Sequence, residues 1–510
     1  MVFFILAGAL LVLSFPPVHW WPLIIPGMAL YFYSAANPAR TRMEVWWGGF
    51  VAGAMLGLWL SYNGLSQMKL LQGAVVFSYL IHISPLPIAI LFGATFGSVA
   101  LLYRILLTRS TIFNALLGAA LYTLGEIFQQ FFWQGYYWGS FAHAFAPFPP
   151  VFIFAPLGGV FLVSFVVAWA ACVAAETKQW SQLPFVAFIL CTLFGILYIC
   201  GLLISQPTPP IGSLRVATVQ AIEKEFSFAT SSAFLDGIIY DRLNEAGHSG
   251  ADLVIYPYAP AQGALYQGPR PPQKVRYEQV VAPLSKLNSW ISQAADQSNT
   301  AFVWQTIYDS VKDQFYETFK FYRSGSEVAE YRKQLLYPFT DYYPDWMRRL
   351  GIVQRSDSLT PGPAVDYTQV GQWRIGNLDC SEVNQPSLAR REARVADFIL
   401  SVGSDALFQN GAPAQYSLAS ARYRAAENRI PVVRAALRGP SAIINPDGSI
   451  GEYMQEGSSG ILRGTVEFYA TQQTLYNRLG DAPIYAIIAL ILLAALKTKF
   501  IYSSLNAGTR

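Results

Sequence analysis

Charged residues are scarce in this chain of 510 residues, since only 13% are Asp, Glu, Lys or Arg while 53% are hydrophobic. A composition this apolar over this length excludes one ordinary soluble domain and indicates a membrane protein. The scarcity is uneven, because ionisable residues are rare before about Ser205 and frequent from Arg215 to Arg478. The sequence therefore predicts two regions, one in a membrane and one in water.

Runs of lysine and arginine are absent, and the formal net charge is only +4. Nucleic acid is therefore an unexpected partner. Histidine is equally sparse, and the four histidines are His19, His82, His143 and His248. A Ser-His-Asp or Cys-His centre built wholly after residue 248 is thus excluded, and a histidine-rich zinc site is disfavoured. We expect no cofactor and no metal, and we expect a monomer.

Cysteine is also rare, with one residue at each of positions 172, 191, 200 and 380. The first three lie in apolar segments, where a thiol is usually a small hydrophobic group. Cys380 is alone in the later region, so an internal disulfide is excluded there and a free thiol needs an explanation.

Apolar runs long enough for membrane helices dominate the first 205 residues. They cover residues 2–15, 21–34, 46–62, 86–103, 112–132, 151–174 and 183–204. Residues 73–84 are a candidate half-span, and residues 483–496 form a further span near the end. The first run lacks a basic start and a cleavage site, so we interpret it as a helix and not as a signal peptide. The prediction is a transmembrane domain of about seven spans over residues 1–205 and a C-terminal helix over residues 481–499, followed by a tail over 500–510.

Basic residues occur in alternate loops of this region, at Arg40, Arg42, Arg104, Arg109 and Lys178. The positive-inside rule places those loops in the cytoplasm. An odd number of spans then delivers the water-exposed region to the outer side, through a proline-rich linker at residues 206–213. Lys497 and Lys499 suit a cytoplasmic exit for the last helix.

Short strand-like runs alternate with helical patterns between residues 214 and 480. Strands are predicted at residues 214–219, 252–256, 301–307, 375–378, 398–402, 431–435 and 441–444. Helices are predicted at residues 231–246, 275–297, 387–396 and 414–428. This pattern is typical of an α/β domain.

Functional groups of layered α/β folds lie where strands end. Three such ends stand out, at Tyr258, at the turn after Lys333 and at Cys380. A thiol has a pKa of about 8.5 and needs a nearby cation or base to react at neutral pH. Lys333 is the candidate cation. From residue chemistry alone, however, Cys380 also fits a buried structural thiol, and Lys333 also fits a solvated surface lysine.

Four motifs resemble those of the apolipoprotein N-acyltransferase family, whose members join a membrane domain to a nitrilase-like domain. YRKQLLYPFTDYYP at residues 331–344 resembles the lysine motif, and GNLDCSE at residues 376–382 resembles the nucleophile strand. SVGSDALF at residues 401–408 and RYRAAENRIPVVR at residues 422–434 are similar to the segments that follow. Order, spacing and the membrane pattern agree, so the resemblance covers nearly the whole chain.

The resemblance implies an α-β-β-α sandwich that places a Glu-Lys-Cys triad on the outer face of a bacterial inner membrane. There a cysteine takes an acyl chain from a phospholipid as a thioester and passes it to the N-terminal amine of a diacylglyceryl-modified lipoprotein. Carried over, Cys380 is the nucleophile and Lys333 stabilises the oxyanion, while Asp341 and Glu382 match supporting acids.

The catalytic glutamate of the family does not carry over, because Tyr258 occupies its position. A second departure is Leu437-Arg438-Gly439, where the family has a small polar run. A tyrosine with a pKa of about 10 is neutral at pH 7 and cannot act as a carboxylate base, a loss of about 10²–10⁴-fold in rate. Removing an anion also lets Lys333 favour the thiolate. Glu382, on the same side of a continuing strand, or Asp341 is the expected substitute.

In the membrane region, Glu126 and Trp138 resemble the acyl entrance of the family. A glutamate inside an apolar run is costly and so is a functional candidate, although a helix cap at the interface explains it equally. Two other functions stay open for the whole protein. One is a catalytically degenerate paralogue that binds lipid or lipoprotein, and the weaker one is a nitrilase-like amidase.

Overall fold

The computed structural model describes residues 1–64, 85–132, 139–177, 195, 199, 209–220, 245–246, 249–257, 265–267, 300–309, 311–312, 314–324, 326–338, 341–342, 345–351, 358–405, 411–470 and 473–507. The chain divides into two units. The helical unit comprises Met1–Gln206, Leu407–Ala419 and Thr474–Arg510, and the sheet unit comprises Pro207–Ala406 and Ser420–Gln473.

The described α-helices are α1 (Val2–Ser14), α2 (Ile24–Ala36), α3 (Arg42–Asn63), α4 (Pro85–Leu106), α5 (Thr111–Phe132), α6 (Phe141–Phe145), α7 (Ala155–Glu176), α8 (Asp345–Arg349), α9 (Pro386–Ala393), α10 (Ala412–Asn428), α11 (Leu475–Leu479) and α12 (Ala482–Ala507). Short 3-10 helices precede α2 and α7 at Trp21–Leu23 and Pro149–Phe154, and a third covers Cys380–Asn384.

Five helices among the described residues are long and apolar enough to cross a membrane. They cover Arg42–Asn63, Pro85–Leu106, Thr111–Phe132, Pro149–Ala175 and Ala482–Phe500. Helices α1 and α2 have 13 residues each, which at about 1.5 Å per residue is shorter than a bilayer core. The predicted half-span at 73–84 and, apart from residues 195 and 199, the predicted span at 183–204 lie outside the described residues, so the total number of spans stays a prediction.

Glycines explain how α3 and α4 pack together. Gly49, Gly53 and Gly57 recur every four residues on one side of α3, and a Cβ on Gly53 would clash with the Phe92 carbonyl oxygen of α4. Small residues at this spacing let two membrane helices approach closely. At its start, α3 is capped by Thr41, whose hydroxyl accepts a hydrogen bond from Glu44 N at 3.2 Å.

The sheet unit contains strands β1 (Gly212–Gln220), β2 (Leu253–Tyr256), β3 (Leu265–Gln267), β4 (Thr300–Asp309), β5 (Gln314–Arg323), β6 (Ser326–Arg332), β7 (Thr368–Val370), β8 (Trp373–Asp379), β9 (Phe398–Ser404), β10 (Val432–Leu437), β11 (Ser441–Ile444), β12 (Ile450–Met454) and β13 (Gly460–Phe468). One sheet has the order β13-β1-β2-β4-β5-β6 with β3 beside β4, and the other has the order β12-β11-β10-β9-β8-β7. All seven predicted strands are confirmed, whereas the β5–β6 hairpin was not predicted.

The core of this unit lies between the two sheets. Apolar side chains of both contribute, including Leu214, Phe302 and Phe319 from the first sheet and Leu400 and Val433 from the second. Helix α9 packs against β8 and β9. The expected sandwich of two sheets with helices outside is confirmed. The helices predicted at 231–246 and 275–297 lie, except for residues 245 and 246, outside the described residues.

Candidate active site

Cys380 lies at the point where β8 stops and the 3-10 helix Cys380–Asn384 begins. Its φ of +50° is in the left-handed region, which non-glycine residues rarely adopt and which often marks a functional site. Next to it, a Cβ on Gly403 of β9 would lie 3.3 Å from Cys380 Cα, so glycine suits this close approach. The thiol is free and partly exposed. The strand end therefore presents a free, half-buried cysteine at a sharp turn.

Glu382 does not lie on a continuing strand, contrary to the sequence prediction, because the chain turns at Cys380. Its Oε1 accepts hydrogen bonds from the backbone N–H groups of Gln334 and Leu335, both at 2.8 Å. Its Oε2 accepts from Tyr331 Oη at 2.7 Å and from Asp379 N at 2.8 Å. With each oxygen accepting two hydrogen bonds, this buried carboxyl joins the nucleophile turn to the segment around Lys333 and is poorly placed to exchange protons.

Lys333 follows β6 and is only 2% exposed, so the alternative of a solvated surface lysine is wrong. Its Nζ lies 2.8 Å from Asp341 Oδ2 and 3.4 Å from Glu317 Oε2. Asp341 Oδ2 also accepts from Tyr337 N at 2.8 Å, which fixes the carboxylate. Burial alone would lower the pKa of the ammonium, but Asp341 and then Glu317 outweigh it and raise the pKa well above its ordinary value. Lys333 is therefore a firmly charged cation.

Glu317 is a member of this cluster that the sequence analysis missed. It lies on β5 directly opposite Lys333, whose N–H donates to the Glu317 carbonyl oxygen at 2.9 Å. Phe319 and Phe321 on the same strand belong to the core between the sheets, and residues two apart share a face. The alternation Phe315, Glu317, Phe319 was the available signal, since an acid in the apolar series of a strand needs a partner or a role.

Asp379 is the second acid next to the thiol, and it is completely buried. Its carboxyl faces the Glu382 N–H at the start of the 3-10 helix. Within the described residues, however, neither oxygen has a partner at hydrogen-bonding geometry. Burial, followed by the charge of Glu317, raises the pKa of this carboxyl well above its ordinary range, and Lys333 opposes the rise only in part.

The electrostatics of the cluster keep the thiol protonated. Burial raises the pKa of Cys380 to about 12, although the charge of Lys333 acts to lower it, and Asp379 and Glu317 raise it further. As predicted, the charge of Lys333 favours the thiolate. Desolvation nevertheless raises the pKa of Cys380 by more than Lys333 lowers it. A thiol with this pKa needs a base to become a nucleophile.

Four of the predicted site residues are brought together in this cluster, namely Cys380, Lys333, Asp341 and Glu382. Tyr258 and Trp138 lie outside the described residues. In the helical unit, Glu126 is 2% exposed and its Oε1 accepts from Ser164 Oγ at 2.8 Å. It lies well inside α5 and does not cap the end of that helix.

The chain matches two family models. Residues 215–476 match the model described as carbon-nitrogen hydrolase, and residues 7–173 match the apolipoprotein N-acyltransferase N-terminal domain. An apolipoprotein N-acyltransferase of Pseudomonas putida is 25% identical over 95% of this chain and 94% of the relative. The one of Azotobacter vinelandii is 26% identical over 90% of this chain and 88% of the relative. Among solved structures, Nit3 of Saccharomyces cerevisiae, a nitrilase superfamily member, has 16% identity and a TM-score of 0.38 over 55% of this chain and 97% of its own.

The two-sheet sandwich and the family model of residues 215–476 place the sheet unit in the class of carbon-nitrogen hydrolases. The N-terminal model and the near full-length relatives narrow this class. The chain belongs to the apolipoprotein N-acyltransferase family, an acyltransferase enzyme family, and with its apolar helices it is a bacterial membrane protein.

Proposed function

We propose that the protein transfers an acyl chain from a membrane phospholipid to the N-terminal amine of a diacylglyceryl-modified lipoprotein. The observation that carries this proposal is the partly exposed Cys380 thiol at the end of β8, beside a buried Lys333 that Asp341 holds at 2.8 Å. The names of the relatives support an apolipoprotein acceptor and acyl transfer to nitrogen, and the apolar helices suit a donor that lies in the membrane. The basic residues in alternate loops support an outer, periplasmic location for the sheet unit.

In the first half-reaction, Cys380 Sγ attacks the ester carbonyl of the phospholipid. The carbonyl oxygen gains negative charge, and the Lys333 ammonium stabilises this oxyanion electrostatically. When the carbon–oxygen bond breaks, the lysophospholipid leaves with a proton on its new hydroxyl, and the acyl chain stays on Cys380 as a thioester. In the second half-reaction, the acceptor amine attacks the thioester, and the free thiol returns.

Asp341 and Glu382 have supporting roles in this mechanism. Asp341 is held between Lys333 Nζ and Tyr337 N, so it fixes the ammonium in place. Glu382 accepts hydrogen bonds from the segment around Lys333 and from the backbone of the nucleophile turn. Both acids thereby keep the cation and the thiol in one geometry. Holding reacting groups in a fixed orientation raises the reaction rate strongly.

The test uses the full chain in lipid nanodiscs that contain a phospholipid with labelled acyl chains. We expect a hydroxylamine-sensitive labelled adduct on Cys380, absent from the Cys380→Ala variant, and its transfer to a lipopeptide with a free amine. A wild-type protein without any adduct would contradict acyl transfer through Cys380 and would favour a catalytically degenerate paralogue that binds lipid or lipoprotein. An adduct that water releases without transfer to the lipopeptide would favour the amidase-like alternative.

A further inference from the structure

Counted over the described residues, the site has more carboxyl groups than its one ammonium can neutralise. Lys333 is already paired with Asp341 at 2.8 Å, and Glu317 adds a second carboxyl at 3.4 Å. A carboxyl on the core face of a sheet destabilises the fold unless it is paired or hydrogen-bonded. Because Asp341 already provides the closer ion pair, the ammonium does not need Glu317 as its partner, and such excess acids are candidates for function.

Glu317 is also the most exposed of the described acids of this site, since Asp379 is fully buried. Its side chain is 13% exposed, against 6% for Asp341, and Glu382 is fully buried. Asp341 Oδ2 is shared between Lys333 and Tyr337 N, and both oxygens of Glu382 accept two hydrogen bonds. Within the described residues, the Glu317 side chain makes only its 3.4 Å contact to Lys333.

The position of Glu317 puts its charge within reach of the nucleophile. Lys333 lies opposite it in the β5–β6 ladder, and both the ammonium and the Glu317 carboxyl act electrostatically on the Cys380 thiol. Burial, opposed by Lys333, raises the pKa of Glu317 above its ordinary value. A carboxylate with a raised pKa is a stronger base, which suits proton transfer near neutral pH.

Resting on the acyl transfer proposed above, we propose that Glu317 is the proton-transfer group of this site and supplies the carboxylate that position 258 lacks. The family places that carboxylate after β2, whereas here it comes from β5, across the hairpin from the lysine. Tyr258 then marks a relocated base and not a lost one.

The proton balance closes in both half-reactions. Glu317 takes the Sγ proton as the sulfur–carbon bond forms, and it returns the proton to the alkoxide oxygen as the carbon–oxygen bond of the donor breaks. Glu317 is then ionised again. It takes a proton from the attacking amine as the nitrogen–carbon bond forms, and it gives this proton to the Cys380 sulfur as the thioester breaks.

The test compares Glu317→Gln with the matched control Glu327→Gln, a carboxyl on the next strand that pairs with Lys320. With the full chain in nanodiscs, we expect Glu317→Gln to slow thioester formation by about 10²–10³-fold, and the control to stay within about threefold. The wild-type rate should fall as the pH drops through the pKa of Glu317, because a base must be ionised. Glu317→Gln should lose this dependence, and an unchanged rate and pH profile would overturn the proposal.

A second variant distinguishes relocation of the base from general damage. We expect Tyr258→Glu to raise the rate of the Glu317→Gln protein by about tenfold or more, and to change the wild type far less. The reverse pattern, a large gain in the wild type and none in the Glu317→Gln background, would overturn the proposal.

Alkylation of Cys380 by iodoacetamide, followed on its own peptide by mass spectrometry, separates failure of this inference from failure of the proposed function. Removing the Glu317 charge should speed alkylation at pH 8 by about three- to tenfold, while acyl transfer slows. Equal alkylation rates in a folded Glu317→Gln protein would overturn the inference even if acyl transfer occurs. Faster alkylation of Glu317→Gln than of the wild type, together with no acyl adduct on the wild type, would overturn only the proposed function.

Discussion

The β5–β6 hairpin carries two buried lysines, and the comparison between them shows what makes the candidate site. Lys320 on β5 is 1% exposed, and its Nζ lies 2.8 Å from Glu327 and 3.0 Å from Glu330, which is its cross-strand neighbour. Lys333 is 2% exposed and is likewise opposite a glutamate and paired with a second acid. By burial and by ion pairing the two lysines are nearly equivalent.

The difference lies in the face of the sheet and in what shares that face. Glu317 follows the alternation of Phe319 and Phe321, which belong to the core between the sheets. Lys320 has the opposite parity and points away from that core. Among the residues that the structure describes, only the inner pair of Lys333 and Glu317 has a thiol within electrostatic range. Burial and ion pairing therefore do not distinguish the two lysines, whereas the thiol near Lys333 does.

The largest contrast is expected between Lys333→Met and Lys320→Met. Without the Lys333 ammonium the oxyanion loses its cation, so thioester formation should fall by about 10²–10³-fold. Lys320→Met should keep the rate within about threefold and lower the melting temperature instead. Labelled acyl adduct in single-turnover experiments measures the first effect, and intrinsic fluorescence measures the second. Comparable losses of rate in both variants would show that the two lysines do not differ in their effect on thioester formation.

Glu382→Gln should have the next largest effect. The carboxylate accepts four hydrogen bonds, and an amide can accept only on its oxygen, so two donors lose their partner. We expect about 1–3 kcal/mol of destabilisation and a rate about 10–100-fold lower. Chemical unfolding and the adduct assay measure both quantities. Full stability together with full activity would show that the link between the two strands is dispensable.

Asp379→Asn should stabilise the protein at alkaline pH. The pKa of this carboxyl is raised in the folded state, so its folded form holds a proton that the unfolded chain releases, and stability falls as the pH rises above about 4. Asparagine removes this dependence. We expect a gain of about 1–2 kcal/mol at pH 8 that vanishes near pH 4. Melting curves of the wild type and Asp379→Asn at the two pH values measure this gain. A loss of stability in Asp379→Asn at pH 8 would contradict the prediction.

Glu330→Gln should show the smallest effect and the opposite sign. Burial raises the pKa of Glu330, but Lys320 and then Arg332 outweigh it, so the pKa is lowered overall. Its contribution to stability is therefore present above the unfolded pKa and is lost as the pH falls. We expect a loss of about 0.5–1 kcal/mol at pH 7 that disappears at low pH, checked by the same melting curves. A gain of stability at pH 7 would contradict this prediction, because Glu330→Gln would then have the same sign of effect as Asp379→Asn.

Motifs in the sequence were sufficient to find Cys380, Lys333 and Asp341, because each follows a strand or lies in a turn with a recognisable pattern. They were not sufficient for Glu317, since its importance depends on the strand that pairs with β5. They also misplaced Glu382, because GNLDCSE continues like a strand in the sequence. In the structure, the turn at Cys380 and the hydrogen bonds to Glu382 end that strand instead.

The division between a membrane region and a water-exposed region, the candidate thiol and lysine, and the tyrosine at position 258 can all be recognised in the amino-acid sequence. These follow from hydropathy, alternation and motif spacing, all of which are local along the chain. The folded chain was needed to show that Glu317, Asp379 and Cys380 share one buried region with Lys333. The reason is physical, because strand alternation fixes which face a side chain occupies, whereas register, burial and neighbouring charges fix its partners and its protonation.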